Sequence, residues 1–154
     1  MAALRGTYEG KVDAKGRVSI PSKCRKLLPE SLVVAKAPNK ELPALVVYSE
    51  DGFNQWFEKL LASKGGERAN DEQQNELLDE YYQLSVETAF DDLGRINIPL
   101  FLRDYAGIKN NVVITGARDH LIIRTPEILA KYHESFARNS VYDKPASGQN
   151  AQNE

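Results

Sequence analysis

Hydrophobic residues alternate with polar ones in a pattern that occurs twice along the chain. Val12, Val18 and Ile20 are apolar, while Lys11, Asp13, Arg17 and Ser19 lie between them; a period of two places these sets on opposite faces of a half-buried strand pair. The stretch "DAKG" between the arms supplies an Asp that accepts hydrogen bonds from turn amides and a Gly that tolerates positive φ. Residues 12–20 therefore read as a hairpin, with Asp13 and Arg17 pairing across its turn. Pro21 suits the first position of a short helix, "SKCRKLL", which Pro29 stops and in which Cys24 packs inward. Two apolar runs follow, "SLVVAK" and "ALVVYS", which read as strands joined by the loop "APNKELP".

Helical periodicity then takes over. In "SEDGFNQWFEKLL" the residues Phe53, Trp56, Phe57, Leu60 and Leu61 share one face, and Ser49 or Asp51 serves as cap. The stretch "SKGGER" reads as a linker, and "NDEQQNELLDEYYQL" as a second amphipathic helix with Leu77, Tyr81 and Leu84 on one side. In "RTPEILAKYHESF", Thr125 is the expected cap and Pro126 the first helical residue, with Ile128, Tyr132 and Phe136 at spacings of four. The final "YDKPASGQNAQNE" has too few apolar residues to pack and is expected to be disordered.

A shift of 78 residues lays "VDAKGRVSIPSKCRKL" (12–27) over "FDDLGRINIPLFLRDY" (90–105) without a gap, and six positions are identical. They are Asp13/Asp91, Gly16/Gly94, Arg17/Arg95, Ile20/Ile98, Pro21/Pro99 and Arg25/Arg103. More loosely, "SLVVAK" is answered by "NNVVIT" and "ALVVYSEDGF" by "HLIIRTPEIL". The chain is a tandem duplication. The expected organisation is a first repeat at 5–62, a linker and connecting helix at 63–84, a second repeat at 85–138 and a tail at 139–154.

Composition narrows the class. The chain has 154 residues, 42% hydrophobic and 27% charged, as in an ordinary globular protein. No apolar run approaches the ~20 residues that span a bilayer, and "MAALRGTYEG" has no signal-peptide pattern, so a cytoplasmic location is expected. The single Cys24 makes neither an internal disulfide nor a cysteine-cluster metal site. His120 and His133 sit on different elements, so no metal or other cofactor is expected. Two equivalent aspartates, Asp13 and Asp91, suggest an aspartic-protease dyad only superficially: each has an Arg four residues on that depresses its pKa, and no small hydroxyl residue follows. Catalysis is not expected. Trp56, Phe57, Tyr81 and Tyr82 read as core or subunit interface rather than a base-stacking platform.

The paired signatures "DAKGR–VSIP" and "DDLGR–INIP", with the opening "RGTYEGKVDAKGRVSIPSK", resemble the MraZ family over roughly residues 4–138. That family carries two tandem SpoVT/AbrB-type repeats. The resemblance implies an α+β, mainly β fold, a swapped-hairpin β-barrel with flanking helices in which the repeats interleave. It also implies assembly into a homo-oligomeric ring, association with the nucleoid, and binding to short direct repeats of double-stranded DNA. The sites would lie in the protein's own promoter region, usually to repress the cell-division and cell-wall gene cluster.

The two copies differ in charge. Residues 5–26 hold seven basic side chains (Arg5, Lys11, Lys15, Arg17, Lys23, Arg25, Lys26) against Glu9 and Asp13, a balance of +5, whereas 83–104 hold Arg95 and Arg103 against Glu87, Asp91, Asp92 and Asp104, a balance of −2. Neutralising phosphates with Lys and Arg supplies most nonspecific DNA affinity, so the first copy is the expected DNA-binding one and the second the scaffold. Arg17 and Lys15 are the leading contacts, with Arg5, Lys11 and Lys23 on phosphates. A structural ion pair with Asp13 is the competing role for Arg17. Gly16, Gly94, Asp13, Asp91 and Arg95 read as structural signature, as do Arg25 and Arg103, which are expected to pair with carboxylates of the other repeat. Leu93 stands where Lys15 does and suits a protein contact. The alternative reading is an AbrB-like protein-binding module such as an antitoxin, although the tail lacks periodic apolar anchors.

Overall fold

Strands form where the alternating patterns stand, but most of them pair across the two copies. A computed structural model of the chain describes residues 3–65 and 71–139. The first copy supplies β1 (Thr7–Lys11), β2 (Arg17–Ser19), α1 (Ser22–Arg25), β3 (Ser31–Lys36), β4 (Leu45–Ser49) and α2 (Glu50–Gly65). After α3 (Asp71–Gln83), the second supplies β5 (Val86–Ala89), β6 (Arg95–Asn97), α4 (Leu100–Ala106), β7 (Asn111–Gly116), β8 (Leu121–Arg124) and α5 (Pro126–Asn139). A six-stranded sheet runs in the order β1-β7-β8-β4-β3-β5, and β2 and β6 form a separate two-stranded ribbon. β1 lies antiparallel to β7, with Tyr8 opposite Ile114, and β5 returns the exchange on β3, with Leu32 opposite Thr88.

The hairpin expected within each copy is local only at its turn. Val12 and Val18 make an isolated bridge, the Asp13 N–H donates to the Arg17 carbonyl at 3.0 Å, and the Asp91 N–H donates to that of Arg95 at 2.9 Å. An arm of three residues makes too few ladder bonds to hold a hairpin by itself, so the matching arm of the other copy completes it. The expected closed, mainly β barrel is also revised. Among the described residues β1 and β5 end the sheet without pairing to each other, and helices are at least as extensive as strands. The fold is α+β because the sheet has a second face, which helices cover.

One face of the sheet presents Leu32, Val34, Leu45, Val47, Val112, Ile114, Leu121 and Ile123 to a core that Val18, Ile20, Ile96, Ile98, Cys24 and Leu102 fill from the ribbon side. The other face presents Val33, Ala35, Val46 and Tyr48 to Phe53 and Trp56 of α2. Burial on both faces explains why "LVVA" and "LVVY" are continuous apolar runs rather than alternating ones. Phe57, Leu60 and Tyr81 close a third cluster between α2 and α3, with Phe57 and Tyr81 edge-on at 5.8 Å. Of the four aromatics, Phe57 and Tyr81 are buried within the chain, Trp56 is half-buried, and Tyr82 stays 42% exposed.

The caps fall close to expectation. Ser49 Oγ accepts from the Gly52 N–H at 3.0 Å and Thr125 Oγ1 from the Ile128 N–H at 3.1 Å. Pro21 and Pro99 stand one residue outside their helices, as N-caps. Of the expected linker "SKGGER", residues 63–65 instead complete the last turn of α2; its remainder, the tail from residue 140 on, and the side chains of Leu77 and Phe136 lie outside the described residues.

The two turn glycines differ in what surrounds them. Both have positive φ, 90° at Gly16 and 77° at Gly94. A Cβ on Gly16 would stand 2.5 Å from the backbone oxygen of Ile98, whereas on Gly94 its three nearest neighbours would be guanidinium atoms of Arg25, the far end of a flexible side chain. Left-handed backbone alone costs a non-glycine residue about 1–3 kcal/mol. Gly16→Ala is therefore expected to cost about 3 kcal/mol or more, and Gly94→Ala nearer 1–2 kcal/mol. Urea denaturation of the two variants checks the order.

Candidate nucleic-acid interface

The first turn is organised by one carboxylate. Asp13 Oδ1 accepts from the backbone N–H groups of Lys15 at 3.0 Å and Arg17 at 2.9 Å, while Oδ2 accepts from Arg17 Nε at 2.8 Å. The ion pair therefore engages one edge of the guanidinium and leaves both Nη groups without a protein partner among the described residues. The two readings of Arg17 are compatible: Asp13 aims the side chain, and its fork faces outward. Lys15 projects from the tip and is exposed. The second turn repeats the bonding, with Asp91 Oδ1 serving Leu93 and Arg95 at 2.9 Å each and Oδ2 serving Arg95 Nε at 2.8 Å.

The ribbon joins the two turns into one surface. Arg17 stands opposite Asn97, Val18 opposite Ile96, and Ser19 opposite Arg95. Val18 and Ile96 point inward, 0% and 1% exposed, so alternation turns Arg17, Ser19, Arg95 and Asn97 outward together. Each end is closed by the opposite copy's glycine: the Ile98 N–H donates to the Gly16 carbonyl at 2.7 Å and the Ile20 N–H to that of Gly94 at 3.1 Å. Lys15 consequently stands at the end of the ribbon that Arg17 and Asn97 share, and Leu93 at the end of Ser19 and Arg95. Arg95, assigned to the scaffold on charge grounds, lies on the same outward face as Arg17.

Arg25 and Arg103 support the turns differently from expectation. Neither has a carboxylate within ion-pair distance among the described residues. Arg25 Nη1 donates to the carbonyl of Ile20, and Arg103 Nε donates to that of Ile98 at 2.9 Å. Each guanidinium lies against the glycine of the other copy's turn, Arg25 on Gly94 and Arg103 on Gly16. A planar, multi-donor group fits a space where no Cβ stands, which is why both positions are Arg.

The remaining predicted contacts fall in two places. Arg5 and Lys23 line one shallow hollow together with Tyr8, Cys24 and Leu27. Lys11, at the end of β1, borders another with Glu9, Asn111 and Pro126. Sequence reasoning missed Asn97, whose Nδ2 donates to the carbonyl of Lys15 at 2.9 Å; it is polar at the outward phase of an alternating strand, but its partner lies 82 residues away. Across the dyad, the second copy has apolar residues in place of Lys15, Ser22 and Lys23: Leu93, Leu100 and Phe101, which are 69%, 61% and 45% exposed.

His120 stacks on Tyr48 with ring centroids 4.4 Å apart, and its Nδ1 meets Asp119 Oδ1 at 2.8 Å. Among the described residues no three His, Cys, Asp or Glu side chains gather as a metal site, and no helix is long and apolar enough to cross a membrane.

Backbone hydrogen bonds, first from Arg17 and Arg95 respectively, hold the carboxyls of Asp13 and Asp91 below the ordinary 3.8. Because the folded state favours the ionised form, this contribution is complete above the unfolded pKa and is lost as pH falls through the lower folded one. Stability is expected to decline below about pH 4. Replacing both aspartates with Asn should flatten that part of the pH profile, as read by thermal melts.

The geometry sets two Asp–Gly–Arg turn signatures, one from each half of the chain, on a single ribbon, and only the first has basic flanks. A model of the family described as "MraZ protein, putative antitoxin-like" matches residues 3–75 and 84–151. The chain belongs to the MraZ family. It is 34% identical over 135 residues to the transcriptional regulator MraZ of Caldanaerobacter subterraneus subsp. tengcongensis, covering 86% of this chain and 87% of that protein. The transcriptional regulator MraZ of Spiroplasma kunkelii is 37% identical over 77% of this chain and 79% of its own length. That of Limosilactobacillus fermentum is 27% identical over 93% and 94%. The two MraZ segments each supply one strand of the ribbon, β2 from the first and β6 from the second.

Proposed function

We propose that the chain is a sequence-specific DNA-binding transcriptional regulator, a repressor of the cell-division and cell-wall gene cluster that reads short direct repeats in its own promoter region. The observation that carries this reading is the outward face of the β2-β6 ribbon, which holds Arg17 and Arg95 with Lys15 at one end. A major groove admits a two-stranded β-ribbon, and a guanidinium whose Nη groups are unoccupied matches the O6 and N7 acceptors of guanine. Asp13 orients Arg17 before DNA arrives, which reduces the ordering cost of binding. Lys15 meets phosphate as a point charge, and Arg5, Lys11 and Lys23 add phosphate contacts without base information. The chains work as a homo-oligomeric ring at the nucleoid, so that several ribbons face one stretch of DNA.

Footprinting on the DNA upstream of the protein's own gene tests the reading. Protection of regularly spaced short repeats is expected, weakening steeply as salt rises. Uniform or absent protection at low salt would overturn it.

A further inference from the structure

We infer that Asn97, a residue of the second copy, reads a base on behalf of the first copy's turn. The inference rests on the DNA-binding reading above and assigns part of its sequence specificity. Asn97 is exposed, and it is the cross-strand partner of Arg17, so the two side chains leave the ribbon side by side on its outward face. Its Nδ2 donates to the carbonyl of Lys15 at 2.9 Å. That carbonyl fixes the orientation of the amide, because the flipped rotamer would set Oδ1 against another acceptor.

One N–H is thereby used as an anchor. Oδ1 and the second N–H have no protein partner among the described residues, and together they are an acceptor and a donor on one planar group. Adenine offers the complement in the major groove, with N6 donating and N7 accepting. Beside it, the free Nη groups of Arg17 suit guanine. The pair therefore reads neighbouring bases with two different side chains, one from each repeat, and the Lys15 carbonyl couples the amide to the basic tip.

The other end of the ribbon lacks this device. Ser19 stands opposite Arg95 as Asn97 stands opposite Arg17, yet a hydroxymethyl group is too short to hold the Leu93 tip and to present a two-point edge at once. The ribbon is thus two-fold in its backbone and one-sided in its chemistry: Lys15, Arg17 and Asn97 at one end, Leu93, Arg95 and Ser19 at the other.

The test is selection from a pool of randomised DNA duplexes, with the full chain as wild type and as Asn97→Ser. Serine occupies the equivalent place on the other strand, and the side chain is exposed, so the variant is expected to fold. A second variant, Asn97→Gln, keeps the amide but moves it outward by a methylene. Wild type should enrich a motif with an A·T pair at one fixed position. Asn97→Ser should lose preference at that pair, by about 5- to 100-fold, and by far more than at any other position of the motif. Asn97→Gln should alter preference at the same pair and nowhere else. An unchanged motif overturns the inference, and so does equal weakening at every position, which would make Asn97 only a support for the Lys15 tip. If wild type itself enriches no motif, the DNA-binding reading fails first and takes this inference with it.

Discussion

Replacing Lys15 and Arg17 together with alanine is expected to abolish specific DNA binding while the fold stays intact. Lys15 is exposed, and its backbone N–H, not its side chain, is what Asp13 holds. Arg17 does lose an ion pair, but both partners are about a third exposed, and pairs of that kind contribute about 0–1 kcal/mol. Asp13 keeps its two backbone donors, so the turn persists. The binding side is weighted very differently. A bidentate base contact contributes about 1–3 kcal/mol of discrimination, and each lost phosphate neutralisation also lowers affinity and the salt slope. A loss of at least about 100-fold follows. Fluorescence anisotropy on the footprinted duplex reads the binding, and a melting curve reads the fold. A double variant that binds its site normally would sink the assignment of this turn. Arg95→Ala should show an intermediate loss of about tenfold, because Arg95 shares the outward face but stands at the end without Lys15 and Asn97.

That last expectation differs from what charge counting alone suggests, and the difference shows what a linear reading reaches. The gapless repeat, the turns with their Asp and Gly, and the inward Val18 and Ile96 were all legible, because alternation and turn chemistry are properties of a few consecutive residues. Charge balance over 22-residue windows distinguishes the copies, +5 against −2, yet it could not see that β2 and β6 lie side by side. Pairing across the dyad depends on which strands find each other, and each arm carries the same inward apolar pattern, so a local hairpin and an exchanged one look alike in sequence. Arg25 and Arg103 illustrate the same point. Their recurrence marked them as structural, but their partners are carbonyls and opposing glycines, groups that every chain has and that no sequence pattern singles out.

An operator with several repeats at natural spacing is expected to bind far more tightly than one with a single repeat. One ribbon with its flanking turn reaches only a few phosphates and a few base pairs, and a contact of that size is weak at cellular salt. Gain must come from linking ribbons. In the proposed ring, once one chain has docked, its neighbour's ribbon would be held near the adjacent repeat at an effective concentration of order millimolar, which would raise overall affinity by about 10²- to 10⁴-fold without any new kind of contact. The gain requires each ribbon to face the same groove, so phase matters as much as number. Inserting about 5 base pairs, half of the ~10.5 in a helical turn, rotates the next repeat to the far side of the duplex. The ring or the DNA must then twist to recover the contact, at a cost in deformation. Titration of duplexes with one, two, three and four repeats should show affinity rising steeply with number, and the half-turn insertion should return a two-repeat site close to the value of one. A full-turn insertion should restore much of the gain, because it preserves phase and changes only reach. Affinity indifferent to repeat number and phase would mean that each chain acts alone, even with Lys15 and Arg17 on the DNA.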